Sequence, residues 1–595
     1  LVAVCVPIAF MEGNVGRLFT EFGFVMAAAV IISSLVALTL APMLCSKWLR
    51  PTTGSSRFFR ASERLLNAMA GGYRRVLEVS LRFPVIVLAL GVVAALASVQ
   101  LFTLVPQELT PVEDRSVIII PSTAPEGTTP AATYRSVQVI EEQLEHFREQ
   151  GIANRIFTIV GFGGIGNRAF TIVGLEPWEE RDVRQQEVTQ QIFPLLGNAP
   201  GVRAFAVNPP GLGQSSFRQP VQVVVSGPDY SQIKEWTDRV MARAQSNSGL
   251  MNISTDYDEN RPQLDISVDR RRAADLGVRA QDVARAIETM IASRVVGRYL
   301  DRGREYDVIV QAEPSDRATP TDLENIFLRA SDQELVPLSS LISIEERGAS
   351  PRLTRIDRLP SITISASLAD GYSLGEALAF FQELAAEELP PEARLGYLGQ
   401  ALDFMETSGA IYVTFLLALL IVFLVLSAQF ESWIHPLIIM LVVPLAITGA
   451  LAALLISGIS LNIYSQIGMI LLIGLLTKNG ILIVEFANQL RDEGRTVREA
   501  IVEGAVLRFR PILMTAISTV FGALPLVLAR GAGAESRASI GAVVIGGLLF
   551  ATLLTFFVVP VLYDLLARFT RSRNAIEQDL QALEEEEQRR LKPAE

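Results

Sequence analysis

Cysteine and histidine are nearly absent from this chain, which has two of each in 595 residues. Cys5 and Cys45 both lie in or beside apolar segments, so the polar middle has no disulfide framework to draw on. With His146 and His435 as the whole histidine complement, the composition argues against a Cys/His metal site and against a His-based catalytic triad. Methionine is thin in the middle of the chain as well, where Met241, Met251 and Met290 stand far apart, and this counts against a thioether path for soft metals. A surplus of positive charge is also missing. The net charge of -11 comes mostly from the polar middle and the Glu584 to Glu587 run, and gives no ground for nucleic-acid binding.

Half of the residues are hydrophobic, and they gather in segments long enough to cross a bilayer, which takes roughly 20 residues as helix. These are Glu21 to Ala41, Pro84 to Val105, Gly409 to Leu426, Pro436 to Leu455, Ile463 to Glu485, Pro511 to Ala529 and Ile540 to Leu562. Pro106 to Met405 instead carries many charges, alternating strand patterns and amphipathic helices, and reads as a folded, water-facing module between spans. Leu1 to Phe10 is an apolar run too short to span. It reads as the end of a cut helix, and no basic leader marks it as a signal peptide. Arginines crowd three connections, among them Arg50, Arg64, Arg74 and Arg82, then Arg491, Arg495 and Arg498, then Arg568, Arg571 and Arg573. The positive-inside rule makes these cytoplasmic and puts the large module on the opposite side.

One offset recurs between the first apolar segment and the last. Pro7 and Pro525, Gly13 and Gly531, Gly23 and Gly541, Val25 and Val543, Pro42 and Pro560, and Leu44 and Leu562 are each 518 positions apart. Such spacing without a gap predicts a duplicated membrane half, and repeats with a site at their interface are a transporter plan. By the same offset, the counterpart of Lys478 falls ahead of Leu1, and so do the opening spans of the first half.

Lys478 stands inside the apolar run Ile467 to Val484, about two helical turns before Glu485. A cation there is costly unless paired. The other spans offer no carboxylate at mid-depth, so its partner is expected outside this sequence; a static interhelical ion pair is the plainer alternative. Asn479 adjoins it, and the span beginning at Pro511 carries Thr515, Ser518 and Thr519 after Arg508 and Arg510. Those polar groups can reorganise around an ion pair or simply bond helix to helix. The spans contain no Ser/His, Asp/Asp or His-x-x-x-His arrangement, which argues against an intramembrane hydrolase and against an enzyme in general.

The runs Lys478-Asn479-Gly480-Ile481-Leu482-Ile483-Val484-Glu485-Phe486-Ala487 and Arg508-Phe509-Arg510-Pro511-Ile512-Leu513-Met514-Thr515 resemble the resistance-nodulation-division exporters, specifically their hydrophobe/amphiphile (AcrB/MexB-like) branch. So do Glu431-Ser432-Trp433 and Met440-Leu441-Val442-Val443-Pro444-Leu445. The resemblance covers essentially the whole chain. It implies a multi-pass permease of the bacterial inner membrane with a large periplasmic domain, exporting hydrophobic or amphiphilic compounds in exchange for protons. The proton gradient is then the energy source and no cofactor is needed. In the family the lysine pairs with two aspartates of a first-half span; Lys478 matches that lysine, Arg508 the relay arginine and Thr515 the relay threonine, with Asn479 beside them. The aspartates have no position here, so the chain taken alone is expected not to pump.

In the module, Ser116 to Ile120 and Arg155 to Val160 read as strands around the helix Ala131 to Gln150. Val221 to Ser226, Tyr230 to Ser246 and Met251 to Asp258 repeat the pattern. This is the split strand-helix-strand plan of ferredoxin-like subdomains. The fold class expected is thus a polytopic α-helical membrane protein with an inserted α+β periplasmic module. By resemblance, porter subdomains fall at 106–218 and at 219–262 with 348–404, and a docking subdomain at 263–347. Membrane segments fall at 1–48, 84–105 and 405–568, a cytoplasmic connecting helix at 49–83 and a cytoplasmic tail at 569–595. Membrane lipid would surround the spans. A homotrimer or heterotrimer, a periplasmic adaptor and an outer-membrane channel are the implied partners, with no nucleic acid.

Gly161, Gly163, Gly164 and Gly166 make a loop flanked by Phe157, Phe162 and Phe170, and aromatics grip apolar cargo without strict geometry. The stretch is similar to the family's switch loop and phenylalanine cluster. Phe157 and Phe162 match family phenylalanines, Gly164 stands where another is usual, and the last is matched by Phe170 or replaced by Ile172. The bland alternative makes these aromatics core of a sheet. Phe58, Phe59, Leu65, Leu66 and Met69 with interspersed arginines read as an interfacial connecting helix, and Ala575 to Lys592 as a solvated tail. Two other functional readings stay open: a non-transporting half-protein or assembly subunit, which would not need Lys478, and a heavy-metal exporter of the same superfamily.

Overall fold

A computed structural model describes residues 2–11, 13–48, 57–197, 199–211, 218–331, 333–350, 352–369 and 371–570. Arg50, Arg571, Arg573 and the tail with its Glu584 to Glu587 run lie outside the described residues, as do the side chains of Phe58 and Phe59. The chain opens with helices α1 (Val2–Ala9), α2 (Gly13–Trp48), α3 (Arg57–Arg82) and α4 (Pro84–Leu104). Pro84 begins α4 at a position where its missing N–H costs nothing.

Two α+β modules follow. The first contains β1 (Val117–Thr123), α5 (Pro130–Glu149), β2 (Ala153–Val160), β3 (Arg168–Leu175), α6 (Gln185–Leu196) and β4 (Arg203–Ala204). Its sheet has the antiparallel order β2-β3-β1-β4. Strand residues alternate between faces: Ile118, Ile120 and Val173 turn inward with Ile140, Leu144, Val188 and Ile192 of the two helices to form one core. The second module begins with β5 (Val221–Ser226), α7 (Tyr230–Ala244) and β6 (Leu250–Thr255).

A separate compact unit, formed by 255–355 together with 125–129, is inserted at this point. It contains β7 (Arg261–Val268), α8 (Arg270–Asp275), α9 (Ala280–Met290), β8 (Arg294–Asp301), β9 (Arg304–Val310), β10 (Phe327–Arg329), β11 (Leu335–Pro337) and β12 (Ile342–Ala349). The strands pair two by two, β7 with β12, β8 with β9 and β10 with β11. Val283, Leu323, Leu338 and Leu341 are the centre of its own core.

After the short β13 (Arg355–Ile356), the second module resumes with β14 (Leu359–Leu368), α10 (Leu374–Glu388) and β15 (Arg394–Tyr397). β14 pairs with β5 and β6, and β5 pairs with β15, so the order is that of the first module with a unit spliced between its second and third strands. Ser373 and Glu376 cap α10 reciprocally.

The last part is helical: α11 (Gly399–Phe430), α12 (Ile434–Met440), α13 (Val443–Ser457), α14 (Ile463–Asp492), α15 (Val497–Val527) and α16 (Ala534–Leu566). Among the described residues seven helices are long and apolar enough to cross a membrane, one for each apolar segment read from the sequence. Helix α16 packs against α13, α14 and α15 and buries Tyr563 completely. Connecting helix α3 docks on this bundle rather than lying free: Tyr73 stacks on Phe509 at 4.7 Å and donates its hydroxyl to the carbonyl of Phe556 at 2.8 Å.

The 518-residue offset has a three-dimensional counterpart. Gly13 and Gly531 both take left-handed backbone, with φ of 90° and 82°; Gly13 begins α2 and Gly531 stands just ahead of α16, long helices with an internal proline at Pro42 and Pro560. A Cβ on Gly23 would press on Ala9, and a Cβ on Gly541 on Val527; these two contacts are related by the same offset.

Helices α13 and α16 approach so closely that only glycine fits. A Cβ on Gly546 would stand 2.2 Å from the Cβ of Ala453, and one on Gly449 would stand 2.5 Å from the Cβ of Phe550. Close backbone approach through small residues is how helices associate where no hydrophobic drive exists. Gly546→Leu should therefore lower the thermal midpoint of the detergent-solubilised protein, by an overpacking cost of about 1–3 kcal/mol. Gly409→Leu, which meets open space, should leave it unchanged in the same melting assay.

Candidate functional site

Helix α14 starts where Asn462 accepts hydrogen bonds from the amides of Tyr464 and Ser465 at 3.0 and 3.1 Å and donates to Ser539 of α16 at 3.1 Å. Along its 30 residues only Lys478 and Gln489 are exposed. Lys478 thus emerges on an open flank of an otherwise packed helix, in line with Leu471, Leu475, Leu482 and Glu485 at helical spacing. Helices α1 and α2 reach this flank near Leu471, where Val4, Cys5, Ile8, Phe22, Met26 and Val30 surround it. Among the described residues no carboxylate pairs with Lys478.

The other three expected relay residues are held differently. Asn479 is buried and turned away from that flank, donating to Thr552 of α16 at 3.3 Å. Arg508 lies with its guanidinium 4.6 Å from the ring centre of Phe486, and its Nε has no hydrogen-bond partner among the described residues. The Thr515 hydroxyl donates to the carbonyl of Ile512 at 2.9 Å. A Cβ on Gly504 would touch Ala487, which fixes the register of antiparallel α14 and α15. Counted at about 1.5 Å per residue, Thr515 stands within roughly 3 Å of the level of Lys478 along the bundle.

The aromatic stretch is a hairpin rather than a loop. Phe157 is in β2, Phe170 and Ile172 are in β3, and a short turn at Phe162–Gly164 joins the strands. Phe157 pairs with Ile172 and Ile172 with Ile119, while Phe170 pairs with Ile159 and Pro121. All of these side chains occupy the sheet face opposite the core. Phe157 is 57% exposed, which removes the core-filling alternative for it. Phe162 packs edge-on against Phe170 at 5.2 Å. Gly164 has φ of 79° and Gly161 77°, so a phenylalanine at position 164 would carry left-handed strain; this is a backbone reason for the glycine there.

A third arrangement was not anticipated from sequence. The buried side chains of Asp114 and Arg181, 9% and 3% exposed, form an ion pair. Asp114 also accepts from Trp178 Nε1 at 3.1 Å and from the Gln185 amide at 2.9 Å. Next to it, Ser536 at the start of α16 donates to Glu113 at 2.5 Å, and Trp178 lies over Gly531. Leu461 and Gln107 form a parallel bridge, and Ser460 donates to Glu108 at 2.7 Å. Burial pushes the Glu108 carboxyl up, against the Ser460 hydroxyl. The ends of α13, α14 and α16 are thereby laced to the segment that enters the first module. The sequence signal was the charged run Glu113-Asp114-Arg115, which periodicity alone cannot link to a tryptophan some 60 residues on.

Seven candidate spans among the described residues, carrying two α+β modules of one topology, are the architecture of a polytopic membrane protein. The model of the AcrB/AcrD/AcrF family matches residues 1–567, and the chain belongs to that family of transporter permeases. An "Uncharacterized transporter" of Haemophilus influenzae (strain ATCC 51907 / DSM 11121 / KW20 / Rd) is 35% identical over 575 residues. The match takes in 95% of this chain and 55% of the relative, so the chain spans about half the length of the curated relative.

Burial alone would raise the Asp114 carboxyl, but the Arg181 guanidinium and the amides of Gln185 and Ser116 hold it below the usual carboxylate range. A depressed acid contributes stability above its unfolded value, about 3.9, and loses it as pH falls below that. Asp114→Asn should strand Arg181 and cost roughly 3–5 kcal/mol at neutral pH. Melting of the solubilised protein from pH 7 down to pH 3 should show the gap between wild type and variant constant to about pH 4 and narrowing by about 1 kcal/mol at pH 3.

Proposed function

We propose that the protein is the inner-membrane permease of a proton-motive-force-driven efflux pump that exports hydrophobic or amphiphilic compounds by drug/proton antiport. The observation that carries this reading is Lys478, the cation on an open flank of a packed membrane helix. An ammonium group in hydrocarbon requires a carboxylate, and a carboxylate paired there can be protonated from one side of the membrane and released to the other. Protonation of that carboxylate frees the lysine, the helices shift, and deprotonation restores the pair. Arg508 and Thr515 on α15, close to the level of Lys478, and Asn479, bonded to α16, give the neighbouring helices a polar grip on that change. No catalytic chemistry is involved, and the proton gradient replaces any cofactor.

The two modules have the strand order of ferredoxin-like porter subdomains, and the inserted unit corresponds to a docking subdomain. Cargo would meet the outer face of the first module, where Phe157, Phe162, Phe170 and Ile172 offer apolar contact around the Gly164 turn. The family's architecture supports a trimer, homo- or heteromeric, working with a periplasmic adaptor and an outer-membrane channel. Arginines at the module-distal ends of the bundle favour that end as cytoplasmic and the modules as periplasmic.

Lys478→Met in the complete protein should abolish drug resistance in an efflux-deficient host, with expression and oligomer assembly unchanged on blue-native gels. Resistance equal to wild type would remove Lys478 from energy coupling.

A further inference from the structure

The register of the first module's sheet lays its outer face out in rows. Phe157, Ile172 and Ile119 lie side by side across β2, β3 and β1, and Ile159, Phe170 and Pro121 lie side by side in the next row. Ile119 and Pro121 are buried, while the other four are exposed or half-buried, so the apolar strip is open along its β2 and β3 side. Arginine stands at both ends of the strip. Arg155 pairs with Gly174 one row before Phe157, and Thr123, one row after Pro121, pairs with Arg168 on one side and Arg203 on the other. Rows on one face are two residues apart, so the cationic ends are about 20 Å from one another with apolar surface between them.

The charge on this face has one sign. The four strands contain three arginines, Arg155, Arg168 and Arg203, all of them on the outer face, and no aspartate or glutamate. Glu176, the first acidic residue beyond β3, forms no ion pair with Arg155 among the described residues, and neither Arg155 nor Arg168 has a side-chain hydrogen-bond or ion-pair partner there. Residues 198 and 212–217, outside the described residues, are uncharged. Gly174 lets Arg155 lie along the sheet, since a Cβ at that position would stand 2.8 Å from both Cγ and Nε of the arginine. A guanidinium held beside apolar surface can donate two parallel hydrogen bonds to a carboxylate or sulfonate, and the aromatic rows accept an apolar body. An ammonium compound would meet like charge at either end.

We propose that this face selects anionic amphiphiles, compounds with a carboxylate or sulfonate head on an aromatic or aliphatic body. The head is held at Arg155 or Arg168 and the body lies across Phe157, Ile159, Phe170 and Ile172. This deepens the efflux reading and rests on it, because it takes the outer face of the first module as the place where cargo is met.

The test is photocrosslinking of the complete protein, purified in an uncharged detergent, with three benzophenones of one body and different charge: para-benzoylbenzoate, its uncharged N-methylamide, and (para-benzoylbenzyl)trimethylammonium. Peptides covering 156–181, quantified by mass spectrometry, should be labelled about ten-fold more strongly by the anion than by the amide, and least by the ammonium. Arg155→Gln with Arg168→Gln should bring the anion-to-amide ratio down to about one. Arg155→Lys with Arg168→Lys, which retains both charges, should keep most of the preference, and this separates loss of charge from loss of fold. Equal labelling of the wild type by the three probes, or strongest labelling by the ammonium, would overturn the anionic selection while leaving the cargo face in place. Absence of labelling at these peptides by any probe would instead remove the cargo face itself, and this inference with it.

Discussion

An ammonium group cannot remain unpaired in hydrocarbon, and this constraint organises the membrane part of the protein. Helix α14 buries or half-buries all but two of its side chains and turns Lys478, at mid-length, to an open flank. Around it the packing is rigid: α16 is held against α13 by glycines that leave no space for a Cβ, and Asn479 ties α14 to Thr552. In the proposed pump, a change at that charge would move whole helices, because packed interfaces shift between discrete arrangements rather than deform continuously.

Such movement matters only if it leaves the membrane, and the joint beside the first module gives it a route. Ser536, in the first turn of α16, holds Glu113, and the residue after Glu113, Asp114, is locked to Arg181 and Trp178 of the first module. The module's sheet starts three residues later at Val117. A shift of α16 therefore acts through a few strong, buried polar contacts on the same sheet that presents Phe157, Phe170 and Ile172. In the proposed pump this is how proton movement would be felt at the cargo face.

Much of the fold was legible from periodicity and turn chemistry. The seven apolar segments correspond to seven helices, β5 runs over Val221–Ser226 as its apolar alternation predicts, and the repeat offset reappears in paired left-handed glycines. Strand β3 was not legible. Its Arg168-Ala169-Phe170-Thr171-Ile172 alternation follows so many glycines that composition reads it as loop, whereas pairing with both β1 and β2 makes it the interior strand of its sheet. The orientations of Asn479 and Arg508 could not be read either, since which face of a membrane helix meets which neighbour depends on close packing such as that of Gly504 on Ala487. The buried Asp114–Arg181 pair was hidden for the same reason: its partners are far apart in sequence and adjacent only after folding.

The central claim is that the charge of Lys478 is answered by an acid whose protonation drives transport. Cryo-electron microscopy of the complete protein in lipid nanodiscs at neutral pH measures this most directly. The account predicts a carboxylate oxygen within hydrogen-bond or ion-pair reach of Lys478 Nζ, inside the bilayer and away from bulk water. A lysine amine reaching solvent or headgroups, with no acidic neighbour, would contradict it.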